Sequence, residues 1–241
     1  MLVRDWMSKH VITIAANDNM QRAIDLMMDH HISMLPVTVQ GKLIGIVTDR
    51  DLRRAAPSDV AVLEVKQILY HLGRVEIQAI MSVDLITVPQ NFTVDETAQV
   101  LLKHKISGCP VVDDTGALVG VITRNDLFKA MISLSGAPQL GIQFGFLLED
   151  RPGSLQELVD VIRDHNARLV SIMSTYDHAP PGFRYTYLRV FSVDRQRLVQ
   201  LKEKLREKAE ILYIVDHREK TREVYAAPIN SGRPLPEAKE L

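Results

Sequence analysis

Cysteine is almost absent from the 241 residues: Cys109 stands alone, so no disulfide can form within the chain. A lone thiol fits a reducing compartment, and a cytoplasmic location is the expectation. An excess of charge of one sign is also missing. Lys and Arg number 29 against 30 Asp and Glu, leaving a net charge of −1, so no global basic field points to nucleic acid. No apolar run follows the charges of Met1-Leu2-Val3-Arg4-Asp5, so these residues do not read as a secretion signal. The longest uncharged stretch, Ala130 to Leu148, is broken by Pro138, Gly136, Gly141 and Gly145; it reads as a helix end, a linker and the start of a strand rather than a membrane span. Walker Gly-x-x-x-x-Gly-Lys, Gly-x-Ser-x-Gly and His-Glu-x-x-His motifs are all missing, and no enzymatic activity is expected. His30-His31 and His104 end equivalent helices but have no carboxylate or cysteine at ligand spacing, so no metal is expected. The mixed signs of Lys202-Glu203-Lys204 and Arg206-Glu207-Lys208 indicate a solvated helix face.

What the sequence does contain is a repeat. Met7-Ser8, Thr13, Ile32-Ser33 and Pro36-Val37 recur 74 residues later as Met81-Ser82, Thr87, Ile106-Ser107 and Pro110-Val111. Gly45, Thr48, Asp51 and Leu52 recur 75 residues later as Gly120, Thr123, Asp126 and Leu127. The extra residue falls in a turn, Val39-Gln40-Gly41 against Asp113-Asp114-Thr115-Gly116, where an insertion does not reverse the faces of a strand. Each copy predicts a short helix at the Met-Ser pair, a strand (Val11–Ile14; Leu85–Val88) and an amphipathic helix (Met20–His30; Val94–His104). Two strands follow (Leu35–Val39 and Leu43–Val47; Pro110–Val112 and Leu118–Ile122), then a closing helix after Thr48 or Thr123. Thr93-Val94-Asp95-Glu96 reads as a capping box. Between the copies, Asp59 to Leu72 reads as an extra amphipathic helix suited to packing or dimerisation.

The ordered set Met-Ser, Ile-Ser-x-x-Pro-Val and Gly-(Ile/Val)-(Val/Ile)-Thr-x-x-Asp-Leu, present twice from Val3 to Ala130, resembles a pair of cystathionine-β-synthase (CBS) domains. Chemistry concentrates at Thr48, Arg50 and Asp51 and at Thr123, Arg124 and Asp126. A carboxylate there can accept both hydroxyls of a ribose, and a Thr at a helix start can donate to phosphate. The alternative is purely structural: Thr at N-cap and Asp at N3 make a helix cap. With Arg124 in one motif and Asp49 in the other, the Thr123/Asp126 site is expected to hold phosphate more tightly. The resemblance implies an adenine nucleotide (AMP, ADP, ATP or S-adenosylmethionine) as regulatory ligand. It also implies base contacts from the strands holding Ile12-Thr13 and Ile86-Thr87 and from the turns Ser33–Pro36 and Ser107–Pro110. Cys109, aligned with Leu35, reads as a buried small hydrophobe, and Trp6, aligned with Ile80, as a core or interface residue.

After a linker at Gln139–Gly141 the pattern becomes β-α-β-β-α-β, a ferredoxin-like order. Ile142–Leu148, Leu169–Thr175, Tyr185–Val193 and Glu210–Val215 read as strands, and Asp194 as the cap of a helix burying Leu198, Leu201 and Leu205. Ser154-Leu155-Gln156-Glu157 reads as a second capping box. Asp150-Arg151-Pro152-Gly153-Ser154-Leu155, a helix, then Leu169-Val170-Ser171-Ile172 resembles an ACT domain over Gly141–Asp216. That family binds amino acids near the Pro-Gly turn, often across a dimer, which implies Asp150, Gly153, Ser154 and Leu155 as ligand contacts. Arg168 replaces the family's usual Asn; it either pairs with a ligand carboxylate or is a solvated surface residue.

The fold class expected is mixed α/β (α+β): a CBS pair (residues 1–74 and 75–138), a ferredoxin-like ACT domain (141–216) and a disordered tail (226–241). This arrangement resembles the acetoin-utilisation family. It implies a sensor acting on an unidentified regulated protein or on its own homodimer, with no nucleic-acid or membrane partner; the alternative is a scaffolding homodimer with vestigial ligand sites.

Overall fold

Both repeats start their long helix with a side chain that satisfies first-turn N–H groups left without an intrahelical acceptor. Asn19 Oδ1 accepts from Arg22 N at 2.9 Å, and Thr93 and Glu96 exchange hydrogen bonds in the expected box, 2.7 Å from Thr93 N to Glu96 and 3.3 Å from Glu96 N to Thr93 Oγ1. The computed structural model describes residues 1–56 and 72–225. The helix expected over Asp59–Leu72, apart from its last residue, and the tail 226–241 lie outside the described residues.

The first repeat contains β1 (Ile14–Ala15), α1 (Met20–Asp29), β2 (Met34–Val39), β3 (Lys42–Thr48) and α2 (Asp49–Ala55). The second contains β4 (Val88–Pro89), α3 (Val94–Lys103), β5 (Gly108–Val112), β6 (Leu118–Thr123) and α4 (Arg124–Leu134). In each, the first strand runs parallel to the second and the second antiparallel to the third. The extra residue sits where a turn can absorb it. Gln40 and Gly41 both have positive φ (50° and 78°), as a two-residue hairpin turn requires. The longer copy is held by Asp113 Oδ1, which accepts from Thr115 N at 2.9 Å and Ala117 N at 3.0 Å. The first strand of each repeat is shorter than expected. Only Ile14–Ala15 and Val88–Pro89 pair; Val11-Ile12 and Leu85-Ile86 lie outside the ladder and line cavities.

The repeats are not self-contained. The turn Val3–Asp5 belongs to the second repeat's core: Val3 is fully buried with Val88, Leu101, Cys109, Val111 and Ile122, and its N–H donates to the Phe92 carbonyl at 2.8 Å. The turn Ile77–Ala79 does the converse, with Ile77 buried among Ile14, Leu35, Val37 and Val47. Reciprocal backbone pairs then lock each Met-Ser segment to the other repeat's third strand. Ser8 and Val121 exchange bonds of 2.9 and 3.0 Å, and Ser82 and Ile46 do the same. Gly45 and Gly120 make this approach possible, because a Cβ on either would run into the thioether of Met81 or Met7.

The chain divides into two compact units, Met1–Ala130 and Met131–Leu241. In the second, β7 (Ile142–Glu149), α5 (Ser154–Asp164), β8 (Arg168–Thr175), β9 (Phe183–Phe191), α6 (Leu198–Arg206), β10 (Glu210–Asp216) and β11 (Thr221–Val224) follow in order. The sheet order β11-β10-β7-β9-β8 is antiparallel throughout, and β7 to β10 form the expected β-α-β-β-α-β arrangement. β11 adds an edge strand beyond β10, so Glu210–Val215, read as the last strand of that order, does not close the sheet. Alternate β7 residues Ile142, Phe144, Phe146 and Leu148 pack with Leu158 and Ile162 of α5 and Leu201 and Leu205 of α6, so both helices cover one face. On the other face the Arg189 guanidinium is buried, donating to the Ser135 carbonyl at 2.8 Å and to Gln143 at 3.0 Å. Asp194 caps the turn Arg195–Arg197 that leads into α6, accepting from Gln196 N at 2.9 Å. The capping box expected at Ser154–Glu157 does not form. Gly153, with φ of 84°, is the N-cap residue, Ser154 is the first helical residue, and the Glu157 carboxylate pairs with Arg151 at 2.7 Å. Among the described residues no helix is long and apolar enough to cross a membrane.

The crossed packing has a stability signature. Gly120→Ala and Met7→Ala should each destabilise the protein by about 1–3 kcal/mol in urea unfolding, and the double variant by clearly less than the sum, since the shortened residue 7 makes room for the new methyl. Strictly additive losses would mean that Met7 does not pack on Gly120.

Candidate functional site

The Thr-x-x-Asp motifs close the third strand of each repeat and open its last helix. Asp51 Oδ2 accepts from Thr48 N at 2.9 Å and from Thr48 Oγ1 at 2.6 Å; Asp126 Oδ2 accepts from Thr123 N at 3.0 Å and Thr123 Oγ1 at 2.7 Å. The helix-cap reading is realised in full at Thr48–Asp51, where Asp51 N also donates to Thr48 Oγ1 at 3.4 Å, while at Thr123–Asp126 the carboxylate's half of it is present. It uses only one oxygen of each carboxylate. Asp51 Oδ1 has no donor within hydrogen-bond distance among the described residues, whereas Asp126 Oδ1 accepts from Lys129 Nζ at 3.2 Å.

A cavity adjoins each motif, and each cavity draws on both repeats. One, of about 390 Å³, sets Thr123 and Asp126 against Ile12, Ser33 and Pro36 of the first repeat. The other, of about 330 Å³, sets Thr48 and Asp51 against Leu85, Ile86 and Ser107 of the second. The crossing follows from the backbone: Ser8 is tied to Val121 two residues before Thr123, and the chain from Ser8 continues directly into Val11-Ile12. The two linings correspond position by position through the repeat, with Ile12 against Ile86, Ser33 against Ser107 and Thr123 against Thr48.

Of the residues singled out in the sequence, Ile12, Ser33, Pro36, Thr123, Arg124 and Asp126 meet at the larger cavity. Thr48, Arg50, Asp51, Ile86, Ser107 and Arg124 meet at the smaller one. Ser107 and Arg124 border both; Thr13, Thr87 and Pro110 line neither. Arg124 was expected to serve the Thr123 site, but its Nε donates to the Ile106 carbonyl at 3.1 Å, and Ile106 borders only the Thr48 cavity. Sequence reasoning missed His31 and Lys105, which follow the long helices at positive φ (52° and 54°), and Arg54 and Lys129 on the closing helices. The 74- and 75-residue offsets pair these residues and carried the signal.

In the C-terminal unit, Asp150, Ser154 and a residue not anticipated, Arg184, come together. Arg184 Nη2 donates to Ser154 Oγ at 3.5 Å, its Nε lies 4.0 Å from the Asp150 carboxylate, and Tyr176 Oη donates to Asp150 at 3.3 Å. Gly153 caps α5, and Leu155 packs on the core. Arg168 does not join them. It pairs with Phe191 at the opposite end of the sheet from Glu149, exposed, its guanidinium 5.9 Å from the Phe191 ring. No group of three or more His, Cys, Asp or Glu suited to a metal occurs among the described residues.

A pseudo-twofold pair of β-α-β-β-α repeats with two composite cavities is the architecture this geometry defines. Residues 3–58 and 77–133 match the CBS domain family. The CBS domain-containing protein YhcV of Bacillus subtilis is 32% identical over 137 residues, 56% of this chain and 89% of YhcV. The chain belongs to the CBS-domain family. The inosine-5′-monophosphate dehydrogenase of Korarchaeum cryptofilum is 32% identical over 174 residues, which are 68% of this chain but only 33% of the dehydrogenase. Among solved structures, the CBS domain pair of protein MJ0100, in complex with 5′-methylthioadenosine and S-adenosyl-L-methionine, is 32% identical with a TM-score of 0.46, covering 54% of this chain and 95% of that one. A protein assigned to acetoin utilization (AcuB) from Vibrio cholerae is 29% identical with a TM-score of 0.48, covering 57% and 95%.

Cys109 is fully buried in the second repeat's core, and burial pushes its thiol up to about 12. At pH 8 an aromatic disulfide reagent should leave the folded protein unlabelled and react with one thiol per chain in denaturant. Rapid labelling of the native protein would contradict this placement.

Proposed function

We propose that the repeat pair is a regulatory sensor of an adenine nucleotide, and that its output passes through a partner protein or its own homodimer. The observation that carries this reading is the division of labour on the two acidic side chains. One oxygen of each is held by the helix cap, so the carboxylate is already positioned, and a cavity bordered by apolar residues from the other repeat lies beside it. A ribose presents two adjacent hydroxyls to such a carboxylate, and a base needs a flat apolar wall such as Leu85-Ile86 or Val11-Ile12. CBS pairs commonly bind adenine nucleotides or S-adenosylmethionine, and both belong in the ligand panel. The residues proposed as contacts are those singled out in the sequence, with Thr13, Thr87 and Pro110 set aside because they line neither cavity.

For the C-terminal unit we propose an ACT-type role over residues 141–216, with the amino-acid ligand met at the Asp150–Leu155 turn. Arg184 rather than Arg168 is the cation suited to a ligand carboxylate there, since it lies against Ser154 and Asp150. Nucleotide and amino acid would act on each other through a coupling free energy, and about 1–3 kcal/mol is enough for regulation in both directions.

Thermal unfolding with AMP, ADP, ATP, S-adenosylmethionine and the amino acids tests the proposal. A bound nucleotide at a hundredfold excess over its Kd should stabilise the protein by about 2.7 kcal/mol, and the double variant Asp51→Ala/Asp126→Ala should lose that shift. The same variant should be less stable by about 1 kcal/mol per cap without ligand. A panel with no shift for any compound would leave a scaffolding pair.

A further inference from the structure

The two cavities are related by the repeat and carry the same net charge, but four Lys and Arg side chains border the Asp51 cavity against two at the other, and that favours it for phosphate. Where the Asp126 cavity has Asn125 and His31, the Asp51 cavity has Arg50 and Lys105. At a third related position both have a cation, but Lys129 is engaged with Asp126, while Arg54 has no carboxylate partner among the described residues. Arg124, which borders both cavities, is the fourth cation, its Nε held by the Ile106 carbonyl on the wall of the Asp51 cavity. Besides Asp51, two carboxylates oppose them, at positions where the other cavity has Arg124 and His10. Asp49 is paired with Arg53 at 2.6 Å; Asp84 adjoins the Leu85-Ile86 wall, where an adenine amino group is a suitable donor. In the other cavity the Lys129–Asp126 pair occupies the carboxylate oxygen that the helix cap leaves open.

Resting on the nucleotide reading above, we infer that the Asp51 cavity binds the phosphorylated nucleotide. Arg50, Arg54, Lys105 and Arg124 receive its phosphates, and affinity rises with phosphate number from adenosine to ATP. This ordering is the reverse of the one expected from the motifs alone. There Arg124 was counted with its own Thr123, and the crossing that brings Lys105 to Asp51 was not visible. Guanidinium and ammonium groups bind phosphate by charge-assisted hydrogen bonds, so removing two of them costs more for ATP than for adenosine.

Isothermal titration of the full chain with adenosine, AMP and ATP decides the matter. Arg50→Ala/Lys105→Ala should weaken ATP at least about tenfold and adenosine far less, since only ATP carries the charge they meet. Lys129→Ala, the charge removal in the other cavity, should weaken ATP less than about twofold. These surface changes leave the Thr48–Asp51 cap intact, and circular dichroism with thermal unfolding checks that each variant is folded. Equal losses for ATP and adenosine, or a larger ATP loss from Lys129→Ala, would overturn the assignment while the sensor reading stands. If wild-type protein binds none of the three, both fall.

Discussion

The bridges Ser8–Val121 and Ile46–Ser82 hold each repeat's leading segment against the other repeat's sheet, and the rest of the repeat pair depends on that exchange. They bring Val3 into one core and Ile77 into the other, so each repeat completes its apolar interior with residues from its partner. They also fix the course of Val11-Ile12 and Leu85-Ile86, the walls that turn two helix caps into two clefts. A glycine without a Cβ on each third strand is the steric condition, because the exchanged methionine occupies the space a side chain would need.

On the proposed reading, the caps explain how one residue serves two purposes. A carboxylate whose Oδ2 accepts from both the backbone and hydroxyl of a threonine is fixed before any ligand arrives, so little side-chain freedom remains to be lost on binding. On the proposed reading, the structural and ligand roles of Asp51 and Asp126 are simultaneous rather than competing. The difference between the copies then lies around the shared Thr and Asp, in Lys129, Lys105 and Arg50, and it makes the pair unequal despite its symmetry.

Local signals were legible and crossed ones were not. Thr93 and Asp194 cap the start of their helices through contacts two or three residues away, the range over which sequence spacing is informative. The turn that absorbs the extra residue and the strand character of Ile142–Leu148 were visible for the same reason, and the repeat through its fixed offset. Two copies of one pattern, however, satisfy the same local chemistry whether Met7 meets Gly45 or Gly120, so nothing in the spacing reveals the exchange. The box expected at Ser154 failed because Gly153, free to adopt positive φ, takes the cap position one residue earlier and leaves the Ser154 hydroxyl buried against Arg184. Arg168 and the Asp150 turn were grouped by resemblance, but the strand that carries Arg168 starts at the far end of the sheet from that turn.

On the proposed reading each cleft is composite, with the sugar held by one repeat and the base by the other. A crystal structure of the protein grown with ATP tests this most directly. Ribose hydroxyls on Asp51 with the adenine against Leu85 and Ile86 are the expected result. A nucleotide whose ribose contacts Asp51 while its base lies on Val11 and Ile12 of the same repeat would contradict it.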